Sequence, residues 1–341
     1  MEVTKQIKTN SKKDKLAKWL YSTGLIRLLN FRRGKQLIVI NYHRICADHH
    51  QETLFDDEVF GPDQYEFQKQ VEWLTKNSDI CSEEELIAMV QGEVQPPKRG
   101  VVLTFDDGYI DNYTLAYPVL RQYNTPAIFF IPTLPIEKRR LGWWDCFAYF
   151  LKTSPKNEVV FEGKSLLPKT KLQEAMHFVL NFIYQNNLDV SVVMDRLSRA
   201  CEVDFPGQDV QDRELMSWDQ IKEVSDHGVS IGAHSHTHKI LNSLDLGQQK
   251  NEIVDSKMII EQRLGKKVRV MSYPVGSYHH FSEATKKIVL DAGYDLGFSF
   301  LTGINTYGNI DQMDVKRISV SNYFPRFVCT MKFPQLFCDC M

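Results

Sequence analysis

Two adjacent carboxylates, Asp106 and Asp107, and two histidines four residues apart, His234 and His238, are the positions of this 341-residue sequence best suited to chemistry. On a helical turn, two histidines at that spacing project from one face and share a metal. Asp107 can add a hard carboxylate oxygen, and two imidazoles with one carboxylate leave open positions for water and substrate. Asp106 adjoins the ligand but points elsewhere, stays ionised near a cation, and can take a proton from an activated water. Gly108 lets the backbone turn sharply beneath the pair. Each piece alone has an ordinary explanation. Asp-Asp-Gly is commonly a turn, and His-x-x-x-His is commonly a surface helix.

The elements that must position these residues strengthen the case. Residues 37–41, 100–105, 127–131, 229–232, 268–272 and 295–300 are short apolar runs rich in β-branched or aromatic residues, and they predict strands. Residues 64–76, 113–123, 218–227, 248–264 and 282–292 carry apolar positions at helical spacing. Gly228 and Gly293 stand where helices stop. The alternation predicts an α/β fold with a mostly parallel sheet, open or closed into a barrel. Asn41-Tyr42-His43, Asp106-Asp107-Gly108, His234 to His238 and Tyr273-Pro274-Val275-Gly276 each follow a predicted strand. Sites in parallel α/β barrels are built at those carboxyl ends. Residues 135–216 break the rhythm and are expected to be a mainly helical insertion that caps one face. There Trp143 and Trp144 can pack or stack on a sugar.

Composition sets the outer limits. Hydrophobic residues make up 43% and charged residues 25%, enough for a large core, and a net charge of −2 argues against a nucleic-acid partner. Residues 1–36 differ, with Lys5, Lys8, Lys12, Lys13, Lys15, Lys18, Arg27, Arg32, Arg33 and Lys35 against only Glu2 and Asp14. Leu16, Trp19, Leu20, Leu25, Ile26 and Leu29 make this segment partly amphipathic. It either packs beside the barrel or touches an anionic membrane through residues 12–33. Ser22, Thr23, Gly24 and Arg27 interrupt the apolar stretch, and no run approaches the roughly 18–20 apolar residues of a span. The seven scattered cysteines suit reduced thiols, and Cys338-Asp-Cys340 is a weak metal or redox hint. A cytoplasmic protein is expected, at the inner membrane face if the basic segment docks. The expected organisation is a basic segment (1–36), a barrel (37–321) and an apolar tail (322–341). Oligomeric state is not legible.

Thr104-Phe-Asp-Asp-Gly108 with His234-Ser-His-Thr-His238 resembles the polysaccharide deacetylase family, the NodB-homology group known as carbohydrate esterase family 4. The likeness runs over roughly residues 37–320 outside the insertion. It implies a distorted (β/α)₇ barrel and removal of acetyl from an N-acetylated sugar. It also implies that Asp106 is the base and that Asp107, His234 and His238 bind Zn²⁺, with Co²⁺, Mn²⁺ or Ni²⁺ as alternatives. His236 falls at a variable position of the motif. Two departures stand out. The family's Arg two residues before Pro is Ser272 here, and Arg317 is the candidate to hold Asp106 instead. The family's late Leu-x-His is missing, since no histidine follows His280. Ile38-Val-Ile-Asn-Tyr-His43 resembles the start of the poly-N-acetylglucosamine deacetylases, where that motif moves to the front. Barrel closure sets the first strand beside the last, so His43 is the expected general acid, with His279 and His280 in reserve. Its pKa is expected near or above the ordinary value of about 6.5.

The sequence thus predicts a metal-dependent hydrolase removing N-acetyl groups from an amino sugar in a polysaccharide or its precursor. Tyr109, Tyr273, Pro274, Trp143, Trp144 and Arg317 are the candidate substrate-binding residues, and the Tyr109 N–H is a candidate oxyanion donor. Rival readings are a hydrolase of a cyclic imide, ureide or O-acetyl ester, an inactive glycan-binding barrel, and an iron oxygenase using the same triad. The βα pattern disfavours the oxygenase.

Overall fold

The computed structural model describes residues 11–28, 36–47, 53–186, 188–319 and 321–338. Lys5, Lys8, Leu29, Arg32, Arg33, Lys35 and Cys340 lie outside the described residues. The chain divides into two compact units. The first holds the segments before His50, Phe60–Thr133 and Met216–Met341, and the second holds Leu134–Leu215 with a short piece before Phe60.

The first unit is a closed barrel of seven parallel strands: β1 (Gln36–Tyr42), β2 (Gly100–Phe105), β3 (Ile128–Ile131), β4 (Ser230–Ala233), β5 (Val270–Ser272), β6 (Leu296–Thr302) and β7 (Val315–Ser319). Neighbours in sequence are neighbours in space, and the ring closes where β1 pairs with both β2 and β7. Ile38 through Tyr42 register with Val101 through Phe105, and Asn41 registers with Ser319. Strand alternation decides what faces inward. Leu37, Val39, Val102, Ile128, Phe130, Val270, Leu296, Phe298 and Val315 form one buried apolar cluster. Two residues further along their strands stand Asn41, Thr104, Ser272 and Arg317, followed by Asp106. The interior column therefore turns from apolar to polar at the carboxyl ends of the strands.

Caps fix the surrounding helices. α1 (Lys12–Ser22) starts at a Ser11–Asp14 capping box, and α2 (Gln64–Asn77) starts with the Asp63 carboxylate accepting from the Glu66 N–H. α3 (Trp218–Asp226) and α4 (Leu246–Leu264) also carry capping boxes, and α4 ends at left-handed Gly265. α5 (Phe324–Lys332) packs against α1, with Tyr21 edge-to-face on Phe324 and Arg326 paired to Asp14 at 3.2 Å.

The second unit is mainly helical, with helices Trp143–Thr153, Leu172–Asn186 and Val190–Cys201 and a hairpin of Val159–Phe161 with Lys164–Leu166. Phe147, Phe150, Val159, Val179 and Leu197 are buried there. Among the described residues, no helix is long and apolar enough to cross a membrane, and the six described cysteines are free thiols.

Candidate active site and metal centre

Asp106 and Asp107 leave β2 where the backbone turns over. The Asp106 N–H extends the β1–β2 ladder by donating to the Tyr42 carbonyl at 3.0 Å, and Asp107 and Gly108 then take positive φ of 75° and 69°. His234 leaves β4 with its N–H donating to the Ile131 carbonyl. The expected helical turn across His234–His238 is not present. The segment is a loop in which Ser235 (φ 60°) and His238 (φ 57°) are left-handed, and the Ser235 hydroxyl accepts from the His238 N–H at 3.0 Å. Those two inversions bring the rings together at a spacing that a helix would also have supplied. Glu252 holds the loop's outer side by accepting from the Thr237 N–H at 2.7 Å.

Asp107, His234 and His238 form a buried trio of potential ligands. Asp107 Oδ1 lies 3.5 Å from His234 Nε2 and 3.2 Å from His238 Nε2, and the two Nε2 atoms are 3.1 Å apart. Ligand bonds of roughly 2.0–2.1 Å in a tetrahedron put ligand atoms about 3.3 Å apart, so the trio has the edges of one tetrahedral face. Asp107 Oδ1 is buried and accepts no hydrogen bond among the described residues. Burial raises the Asp107 pKa against the pull of His234 and His43, which marks a buried carboxylate short of positive charge. Burial also pushes both imidazoles down to about 4, keeping them neutral and able to ligate. His234 Nδ1–H donates to the Ser272 carbonyl at 2.8 Å, which turns the Nε2 lone pair toward the trio. By geometry and donor chemistry, the trio fits a divalent ion such as zinc.

His236 is directed elsewhere, its Nδ1 meeting the Thr133 hydroxyl at 2.8 Å. Asp106 instead faces Arg317. Nη1 and Nη2 meet its two carboxylate oxygens at 2.8 and 2.9 Å. The other donors reach the Ser299 carbonyl, Asn41 Oδ1 and Ser272 Oγ, and the guanidinium lies against the Phe130 and Phe300 rings. Burial works to raise the Asp106 pKa, but Arg317, with His234 and His43, outweighs it and holds the carboxyl well below the usual range. Ser272 therefore links two parts of the site, since its hydroxyl accepts from Arg317 and its carbonyl accepts from His234.

His43 stands at the end of β1 with Nε2 3.9 Å from Asp106 Oδ2, its side chain 30% exposed and edge-on to Phe300. Burial lowers its pKa further than Asp106 and Asp107 raise it, which reverses the expected direction. His280 Nδ1 is held by the Ser277 N–H and hydroxyl, and it is His43 that faces the carboxylates. An arrangement not read from the sequence surrounds His43. The Asn112 amide donates to the His43 carbonyl at 2.7 Å. Asp111 accepts from Arg44 Nε and the Ile45 N–H, both at 2.8 Å. Arg44 lies 4.4 Å from the Phe60 and Tyr109 ring centres. The only sequence signal was the polar pair Asp111-Asn112 just beyond the carboxylate motif.

Most of the side chains expected to bind substrate are withdrawn from the surface. Arg317, Tyr109, Tyr273 and Pro274 are buried, and Tyr273 is stacked on Phe281 with its hydroxyl donating to the Met313 carbonyl. Those side chains support the site from within and present no open face. Trp143 is buried in the second unit, packed edge-on with the half-buried Trp144 and against Phe147.

The profile of the polysaccharide deacetylase family matches residues 93–297, more than half of the chain, and the chain belongs to that family. It is 27% identical over 233 residues to YxkH of Bacillus subtilis (strain 168), a protein named for polysaccharide deacetylation. That stretch is 68% of this chain and 56% of the relative, so the chain spans about half of the relative's length. The fold matches the Streptococcus pyogenes deacetylase PplD in complex with acetate, with TM-score 0.60, 20% identity, and 88% of this chain and 99% of that one covered. It also matches IcaB from Ammonifex degensii, with TM-score 0.56, 19% identity, and 88% and 98% covered. These likenesses bear out the distorted (β/α)₇ barrel. His43 and Arg317 lie outside the stretch that the family profile matches, yet both reach Asp106.

Proposed function

We propose that this protein is a divalent-metal-dependent hydrolase that removes N-acetyl groups from an amino sugar in a polysaccharide or its precursor. The observation that carries this reading is a buried Asp107–His234–His238 trio beside an ionised Asp106. A bound divalent ion, zinc being the best match to this donor set, would polarise the acetyl carbonyl and acidify a water. Asp106 accepts the proton of the attacking water, and Arg317 fixes its orientation. His43 delivers a proton to the leaving nitrogen. At neutral pH the resting ring is mainly neutral, so the proton it delivers is one it acquires during turnover. The backbone N–H of Tyr109 is assigned to the developing oxyanion. Water is consumed, the C–N bond breaks, and acetate and a free sugar amine leave.

The test is acetate release from a panel of N-acetylated glycans and O-acetyl esters. The chelated protein would be supplied in turn with Zn²⁺, Co²⁺, Mn²⁺ or Ni²⁺. Metal-restored release from an N-acetyl substrate is expected. Release from O-acetyl esters alone, or release indifferent to chelation, would overturn the assignment.

A further inference from the structure

α1 has two faces of opposite character. Its inner face is fixed to the barrel unit. Ala17 is fully buried, Asp14 pairs with Arg326, Lys13 donates to the Cys338 carbonyl at 2.6 Å, and Lys332 donates to the Ile26 carbonyl at 2.7 Å. The outer face should then be polar. It instead exposes Leu16 at 48% and Trp19 at 54%, and the short helix that follows (Leu25–Leu28) exposes Leu28 at 78%. Around these lie the exposed cations Lys12, Lys15, Lys18 and Arg27. Asp14 is the single acid between residues 11 and 28, and it is turned inward onto Arg326.

Because the inner face is occupied, Leu16 and Trp19 cannot turn into the core without breaking those contacts. A second copy of the chain is a poor occupant. An isologous pairing would set the lysines of one copy near those of the other, and residues 11–28 would offer no outward carboxylate to answer them. An apolar strip with an indole, edged by lysines and with the one acid of residues 11–28 turned inward, complements an anionic lipid interface. There the indole and leucines enter the acyl boundary and the ammonium groups meet the headgroups. We infer that the outer face of α1 and the Leu25–Leu28 turn dock this protein peripherally on an anionic membrane. The reaction assigned above does not enter this inference.

The experiment is co-sedimentation of the full chain with vesicles of phosphatidylcholine, with or without one quarter phosphatidylglycerol, at low and high salt. Binding is expected only to the anionic vesicles, weakening about tenfold or more at high salt through screening. Trp19→Ala with Leu16→Ser, and separately Lys12, Lys15 and Lys18 each→Glu, should each lower the partition coefficient at least about tenfold. Both variants should keep the wild-type circular dichroism and metal content. Equal binding to neutral vesicles would overturn the inference. So would unchanged binding of the Trp19→Ala/Leu16→Ser variant, which would make the contact purely electrostatic. A concentration-dependent dimer abolished by that variant would hand the face to a second copy and have the same effect.

Discussion

Arg317 and Asp106, 211 residues apart in the chain, form a two-pronged ion pair buried at the carboxyl end of the barrel strands. The guanidinium spends its five N–H groups on Ser299, Asn41, both Asp106 oxygens and Ser272. Such a pair is held by its complete satisfaction, and removing one member strands the other's charge. Arg317→Met should therefore cost about 3–5 kcal/mol of unfolding free energy. Arg317→Met with Asp106→Asn should recover part of that loss. The pH dependence has a definite sign. Because the folded-state pKa of Asp106 is depressed, the pair's contribution is full above the unfolded value of about 3.9 and is lost as pH falls toward the folded value. Denaturant unfolding between pH 3 and pH 7 should show a shallower acid limb in Arg317→Met than in wild type. Parallel limbs would mean that the pair carries no net stability.

Ligand and base should separate by metal analysis. Asp107→Ala, His234→Ala and His238→Ala each remove one vertex of the 3.1–3.5 Å triangle and should lose the metal and hydrolysis together. His236→Ala, whose ring bonds Thr133, should keep metal. Asp106→Asn should bind metal about as well as wild type and turn over orders of magnitude more slowly. Elemental analysis of the purified variants reads the first contrast, and acetate release reads the second. Metal loss in His236→Ala equal to that in His238→Ala would mean that the ligand set is wrong.

Much of this was legible in the sequence because strand alternation and strand ends are local signals. The apolar runs marked six of the seven barrel strands. The seventh, Val315–Ser319, contains two charged residues and lacks the apolar run, because Arg317 points inward. The loop geometry of His234–His238 was not legible. Four-residue spacing suits a helical turn equally well, Ser235 does not announce a left-handed backbone, and a histidine such as His238 signals one only weakly. Arg317 was legible only as a replacement for an arginine missing before Pro274, and its burial was not. Nor was Ser272, where one serine's carbonyl and hydroxyl serve His234 and Arg317. Spacing along a chain says nothing about partners 38 and 45 residues away.

Gly276 lies behind the site, where a side chain has no room. It has φ 63°, and an added Cβ would sit 2.6 Å from the Phe300 backbone nitrogen, which itself donates to the Gly276 carbonyl at 2.8 Å. Phe300 packs on both His43 and Arg317. Gly276→Ala combines left-handed strain with a backbone clash, so it should cost more than about 1–2 kcal/mol and lower turnover through the displaced Phe300 ring. Thermal unfolding and acetate release check the two parts. A fully stable, fully active variant would show that the loop after β5 yields more easily than this packing implies.

The sharpest expectation concerns His43. It lies 191 residues before His234, because 234 minus 43 is 191, and outside the stretch matched by the family profile. Barrel closure nonetheless sets β1 between β2 and β7, which carries the imidazole to 3.9 Å from Asp106. Its 30% exposure leaves the ring open to a bound ligand, whereas the Arg317 and Asp106 side chains are only 1% and 3% exposed. Asn112 and the Asp111–Arg44 pair fix the backbone from His43 to Ile45. If His43 delivers the proton to a departing amine, its removal should matter in proportion to how much the leaving group needs that proton. His43→Ala should fold, keep its metal and lose about 10²–10⁴ in kcat on an N-acetyl sugar. The loss should be much smaller on an acetyl ester whose phenolate leaves unaided. Asp111→Asn, which loosens the support without removing the ring, should show the same substrate-dependent pattern in milder form. Equal losses of His43→Ala on both substrates would assign His43 to binding or to the fold and leave the proton donor elsewhere.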